Sequence, residues 1–256
     1  MKVHVEKNAA GLGIAAGKAA AALIAETIQE KGQANIILGT GASQFETLKQ
    51  LTSSPEVEWH KVIMFHLDEY IGLPVNHPAS FRKYLKERFL DKVPPLKAHY
   101  LIDGNANPEE ECRRLNALIS AHPIDVALAG IGENGHLAFN DPPADFDTNQ
   151  PYIIAKLDEA CRRQQFGEGW FPTIADVPHT AISMSVRQLM RSKHIICSVP
   201  DQRKARALKN SFEQPVSNMY PASILRRHPN CHFFLDVFSV SLLSREVSYY
   251  DNLIEN

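Results

Sequence analysis

A three-layer α/β architecture, a Rossmann-like and mostly parallel sheet with helices on both faces, is what this 256-residue sequence predicts. Three observations predict it. Short apolar runs that read as buried strands alternate with helical patterns along the chain, the order that builds βαβ units. The run at 124–129, IDVALA, is apolar except for Asp125, which suits a strand covered on both faces. Small-residue turns follow two such runs, LGTGAS at 38–43 and GIGENG at 130–135. Turns of that kind belong at the carboxyl ends of parallel strands, where open α/β sheets bind ligands.

Each element has its own signal. An Ala-rich pattern predicts a helix over 11–31, followed by a short strand at 35–38. Ser43 is placed to cap a helix running to about 52, with Glu46 completing a capping box. Residues 62–65, VIMF, form a second apolar strand that ends at His66-Leu67-Asp68-Glu69. Helices are expected from Ser80 to Leu90 and from Pro108 to Ser120, the second with proline in its first turn. Strands follow at 124–131, 152–157, 180–185, 194–199 and 232–236, with helices at 201–212 and 221–227. No repeat, low-complexity tract or linker interrupts the pattern, so residues 1–256 read as one domain.

Composition narrows the function classes. The formal net charge is −2, which gives no electrostatic reason to expect nucleic acid or an anionic membrane as partner. The four cysteines, Cys112, Cys161, Cys197 and Cys231, are widely spaced and form no CxxC pair, as expected of reduced thiols in a cytoplasmic protein. The N-terminus lacks the continuous apolar core of a signal peptide. The Ala-rich stretch 15–25 is short for a bilayer span and contains Lys18, so it is expected to be a packed helix.

Three strand ends carry candidate chemistry. The loop Gly39-Thr40-Gly41-Ala42-Ser43 offers backbone N–H groups, two hydroxyls and a helix N-terminus, a set that suits a phosphate and equally suits a plain tight turn. It lacks the spacings of a Walker loop and of a dinucleotide fingerprint. Asp68 and Glu69 directly follow a strand, where a carboxylate can move a proton between adjacent carbons, or else merely cap a turn. His136 follows the turn containing Gly132, and Asp141 is its natural orienting partner. Lys204, near the start of a helix, can reach a phosphate or be part of a solvated cationic face. His122, His228 and His232 have no partners at useful spacing and read as structural. Trp59 and Trp170 read as packing residues, although 164–170 is polar enough to form a lid.

Taken together, these segments resemble the glucosamine-6-phosphate deaminase/isomerase family, relatives of the 6-phosphogluconolactonases. The stretches that match are LGTGAS (38–43), FHLDEYIGLPVNHPASF (65–81), AGIGENGHLAFNDPP (129–143), DVPHTAISMSV (176–186), KARAL (204–208) and YPASIL (220–225). The aromatic and Gly-Leu after Asp68-Glu69 favour the deaminase branch over the lactonases. The resemblance implies that a sugar phosphate sits on loop 39–43 and Lys204. It makes Asp68 the base that carries a proton between C2 and C1, and His136, supported by Asp141, the group that opens the sugar ring. No metal or redox cofactor is implied. The family contains monomers and hexamers, so a homo-oligomer stays open.

Three positions depart from the family pattern. Asn134 stands where an aspartate is usual, and Asp141 where a glutamate is usual. Gly169 replaces the arginine expected before the aromatic pair Trp170-Phe171, with Arg162 and Arg163 as the nearby basic candidates for substrate binding. An amide at 134 is expected to hydrogen-bond the imidazole without stabilising its charged form, so Asn134→Asp is expected to speed ring opening. Two other readings remain at this level: lactone hydrolysis with His136 activating water, and a sugar-phosphate sensor without turnover.

Overall fold

The computed structural model describes residues 1–251; positions 252–256 of the expected domain lie outside the described residues. In chain order the strands are β1 (Lys2–Glu6), β2 (Ala34–Leu38), β3 (Val62–His66), β4 (Asp68–Tyr70), β5 (Ala98–Tyr100), β6 (Val126–Ala129), β7 (Tyr152–Lys156), β8 (Thr180–Met184), β9 (His194–Val199) and β10 (Cys231–Asp236). The helices are α1 (Ala9–Lys31), α2 (Phe45–Thr52), α3 (Phe81–Arg88), α4 (Pro108–Ser120), α5 (Glu159–Gly167), α6 (Val186–Leu189), α7 (Ala205–Glu213) and α8 (Val247–Tyr250).

Seven strands form a fully parallel sheet in the order β1-β10-β9-β6-β2-β3-β5. Alternate residues of its central strands feed two separate cores. Ile36, Leu38, Val126 and Leu128 pack under α1, α2 and α3. Ile37, Ala127 and Ala129 face the other way, toward Leu115 of α4 and Leu208 and Phe212 of α7. Both faces are therefore covered, which is why these strands read as unbroken apolar runs.

Helix α1 is 23 residues long and apolar enough to cross a membrane by length and composition, so shortness is not what decides its fate. Its buried stripe, including Leu12, Ala16, Ala20, Ile24 and Ile28, packs onto the sheet. Gly13 and Gly17 let α2 come close: a methyl at Gly13 would lie 2.2 Å from Cβ of Glu46, and one at Gly17 2.6 Å from Cβ of Gln50. That approach fixes α2, and with it the loop at the end of β2.

Three expectations need correction. The runs at 152–157 and 180–185 do not join the parallel sheet; β7 and β8 pair antiparallel with each other and β8 pairs with β4 in a second, three-stranded sheet. The mixed burial along β7, unlike the unbroken burial of β2 or β6, is the physical mark of a strand with one exposed face. Ser43 caps no helix: it lies inside a 3₁₀ turn, Ala42–Gln44, and makes no side-chain cap hydrogen bond. The segment Pro221–Arg227 is likewise a 3₁₀ turn. By contrast, Ser80 caps α3 through Lys83 N–H, and Asn107 caps α4, whose first residue is Pro108. All four cysteines are buried free thiols.

Candidate active site

At residue 67 the chain passes from one sheet into the other. Leu67 N–H donates to the Leu38 carbonyl of the parallel sheet at 3.1 Å, and its own carbonyl accepts from Met184 N–H of the small sheet at 2.9 Å. This junction places Asp68 at the carboxyl edge of β3. The neighbouring edges of β2, β6 and β9 complete the floor of a cavity of about 200 Å³. It lies where the chain, having built outward from β2 to β3 and β5, returns to lay β6 on the other side of β2. Such a switch point is where parallel sheets hold ligands.

Loop 39–43, Asp68, Gly132, His136 and Lys204 all line this cavity. Gly41 adopts a φ of 91°, and the N–H groups of Thr40 and Gly41 have no protein acceptor among the described residues. Gly130 allows the loop to close over β6, because a methyl there would lie 2.8 Å from Ser43 Oγ. Lys204, only 7% exposed, has no ion-pair partner among the described residues, and burial pushes its ammonium pKa down. A buried cation beside unpaired N–H donors is a site prepared for an anion.

Asp68 is 6% exposed and its Oδ1 has no hydrogen-bond partner. Burial, and then the charge of Glu69, push its carboxyl up to about 8. His136 offers the second proton-handling group. Its Nδ1 lies 2.9 Å from Asp141 Oδ1. Asp141 also accepts from Asn134 Nδ2 at 2.9 Å and Asp158 N–H at 2.9 Å. Burial would raise its pKa, but the hydrogen bonds and charge of His136, with those of Asn134 and Asp158, bring it below the usual value. An ionised Asp141 makes Nδ1 the protonated nitrogen, which leaves the Nε2 lone pair free to accept a proton.

Asn134 does not hold the imidazole ring as expected. Its Nδ2 serves Asp141, and reaches Asp158 Oδ2 at 3.4 Å, while its Oδ1 accepts from the His136 backbone N–H at 3.0 Å. A short loop turns the amide toward the relay carboxylate rather than toward the ring.

Three residues expected at the site, Glu69, Arg162 and Arg163, lie outside the cavity lining. Glu69 is fully buried and points away from the cavity, accepting from Ser80 Oγ, the N–H groups of Phe81 and Arg82, and Arg82 Nε. It ties β4 to the start of α3. Arg162 donates to the carbonyls of Ile174 and Val177, and Arg163 pairs with Glu159 on the exposed side of α5. Neither arginine lines the cavity. A helix period explains this: the residues of α5 that do face inward are Gln164 and Gln165, followed by Glu168.

Arg203, Asp201, Phe81 and Phe139 also line the site, although the sequence pattern does not mark them as functional. Asp201 has a φ of 83°, a conformation rare for a residue with a side chain, and its carboxylate holds Arg203 Nε at 2.9 Å. The acidic residue two positions before Arg203 was the available signal. One group could hold a metal: His136, Asp141 and Cys161 bring ligand atoms within 4.8 Å of one another. Burial pushes the Cys161 thiol up, so a metal there would have to expel a reluctant proton.

The family model for glucosamine-6-phosphate isomerases and 6-phosphogluconolactonase matches residues 7–233. A glucosamine-6-phosphate deaminase of Lactobacillus delbrueckii subsp. bulgaricus is 35% identical over 246 residues, 95% of this chain and 100% of that one. The deaminase of Exiguobacterium sibiricum is 35% identical over 221 residues, 86% of each chain. Among solved structures, a monomeric glucosamine-6-phosphate deaminase superposes with a TM-score of 0.83 at 31% identity, covering 94% of this chain and 100% of that one. A 6-phosphogluconolactonase of Trypanosoma brucei shares the fold, with a TM-score of 0.77 at 15% identity over 95% of this chain and 98% of that one.

Proposed function

Because this chain belongs to the family of glucosamine-6-phosphate isomerases and 6-phosphogluconolactonases, we propose that it converts an amino-sugar 6-phosphate, glucosamine 6-phosphate or a close relative, into the ketose phosphate with release of ammonia. One observation carries this reading: a buried, unpaired Lys204 beside the free N–H groups of loop 39–43, in the same cavity as an unpartnered carboxylate and an imidazole.

The phosphate sits on Lys204 and the N–H groups of Thr40 and Gly41, which leaves the sugar carbons toward Asp68 and His136. His136 Nε2 takes the proton of the anomeric hydroxyl and returns one to the ring oxygen, with Asp141 stabilising the transient imidazolium. The open aldehyde acidifies the C2 proton. Asp68 removes it as the carbonyl oxygen takes up a proton, giving an enolamine, and delivers it to C1 as the nitrogen gives up a proton; water hydrolyses the resulting C2 imine to ketone and ammonia. A carboxyl held near 8 can exchange its proton at neutral pH, which an ordinary carboxylate does poorly. Lactone hydrolysis would give Asp68 no carbon proton to move.

Incubation with glucosamine 6-phosphate and, separately, with 6-phosphogluconolactone distinguishes the outcomes. Ammonia release from the first supports the proposal. Acid release from the second alone assigns the protein to lactone hydrolysis, and binding of glucosamine 6-phosphate without turnover makes it a sensor.

A further inference from the structure

The cavity end assigned to phosphate contains an anion of the protein's own. Glu168 lines it together with Thr40, Gly41, Arg203 and Lys204. It is the residue that ends α5: its N–H donates to the Gln164 carbonyl at 3.1 Å, and its carboxylate accepts from Gln164 Nε2 at 3.3 Å. Among charged groups, Glu168 acts most strongly on Lys204, and it acts on Arg203 as well. Its charge also reaches Tyr84, whose hydroxyl donates to the Gly41 carbonyl at 3.0 Å. Glu168 thus shares the cavity with the loop and with both cations. It closes no ion pair there among the described residues, because Arg203 is held by Asp201 and Glu133.

An arriving phosphate therefore meets, in one cavity, the Arg203 and Lys204 cations together with the Glu168 carboxylate at the negative end of α5. Like charges in one small site exclude each other. We propose that Glu168 is an internal counter-anion of this subsite, displaced by the incoming phosphate, so that selectivity for phosphorylated sugars is set by competition between the two anions. The proposal rests on the phosphate reading above. Helix α5 then links the two halves of the site. Its other end is capped by Asp158, whose N–H donates to Asp141 Oδ2 and whose carboxylate receives Asn134 Nδ2.

Inorganic phosphate titrated calorimetrically into the full chain at low ionic strength tests this. Glu168→Gln should bind phosphate about fivefold more tightly than wild type, the effect of removing one partly screened repulsion. Glu168→Asp, which keeps the charge, should stay within about twofold of wild type. Unchanged or weaker binding by Glu168→Gln, with wild type still binding phosphate, overturns the inference alone. Lys204→Ala separates the underlying reading: loss of phosphate binding upholds the subsite, and binding indifferent to Lys204 overturns the subsite and the counter-anion together.

Discussion

The His136 ring lies flat against the backbone of Gly132, and that contact makes a sharp test. A methyl at 132 would sit 2.3 Å from Cε1 and Nε2 of the imidazole and 2.5 Å from Cδ2. Ordinary contact begins at 3.4 Å, so the ring must retreat by about 1 Å. Gly132 has no left-handed φ, so alanine suits the backbone and the strain falls on the ring. The retreat either lengthens the 2.9 Å bond to Asp141 or moves Nε2 away from the sugar. Misplacement on this scale costs on the order of 10²-fold in rate. Gly132→Ala should therefore lower kcat for ammonia release from glucosamine 6-phosphate by about 100-fold, measured at saturating substrate. Far-UV circular dichroism and a melting curve check the fold, and His136→Ala sets the floor. A correctly folded Gly132→Ala enzyme within about threefold of wild type would refute the placement of His136 in the chemistry.

The remaining predictions concern the carboxylates. Asn134→Asp loses the amide donor and sets a third carboxylate beside Asp141 and Asp158, so ammonia release at pH 7 should fall several-fold, roughly one order of magnitude at most; a rate equal to or above wild type contradicts this geometry. Glu69→Ala leaves Arg82 with Asp103 alone as ion-pair partner, removes the acceptor of Ser80 and of the Phe81 and Arg82 N–H groups, and should cost about 3 kcal/mol in urea unfolding; a loss below about 1 kcal/mol with weakened phosphate binding would return Glu69 to the substrate site. The folded-state pKa of Asp68 is raised, and the base works only when ionised, so kcat/KM should climb as pH rises through about 8. The same sign makes folding stability fall between the ordinary carboxylate range and pH 8, because the folded chain holds the proton that the unfolded chain gives up. Flat kcat/KM from about pH 6 to 9 would remove Asp68 from that role.

The parallel sheet was legible because two-sided burial writes itself as nearly continuous apolar runs, as at 36–38, 62–65 and 126–129. Two edge strands were not: β1 is partly exposed and carries mixed residues, and β5 is only Ala-His-Tyr. The antiparallel sheet was misassigned because partner choice depends on where the chain crosses at Leu67, which no local pattern encodes. Within the site, loop 39–43, Asp68 and His136 stood out as groups at strand ends and Lys204 as a cation near a helix start, and the structure brings them to one cavity. Glu69, Arg162 and Arg163 lie outside the cavity because successive residues alternate faces on a strand, and because the two arginines fall off the α5 stripe of Gln164, Gln165 and Glu168. The same geometry hid Gln164, Gln165 and Glu168, whose inward turn depends on how α5 packs.

Asp68 stands at the centre of the proposed chemistry because it moves a proton between carbons. The most direct measurement runs the reaction with glucosamine 6-phosphate in D₂O and follows ammonia together with solvent deuterium at C1 of the product, for wild type and Asp68→Asn. Wild type should release ammonia and place deuterium at C1, while Asp68→Asn, folded and still binding phosphate, should do neither. Ammonia release by Asp68→Asn at the wild-type rate would contradict the mechanism at its centre.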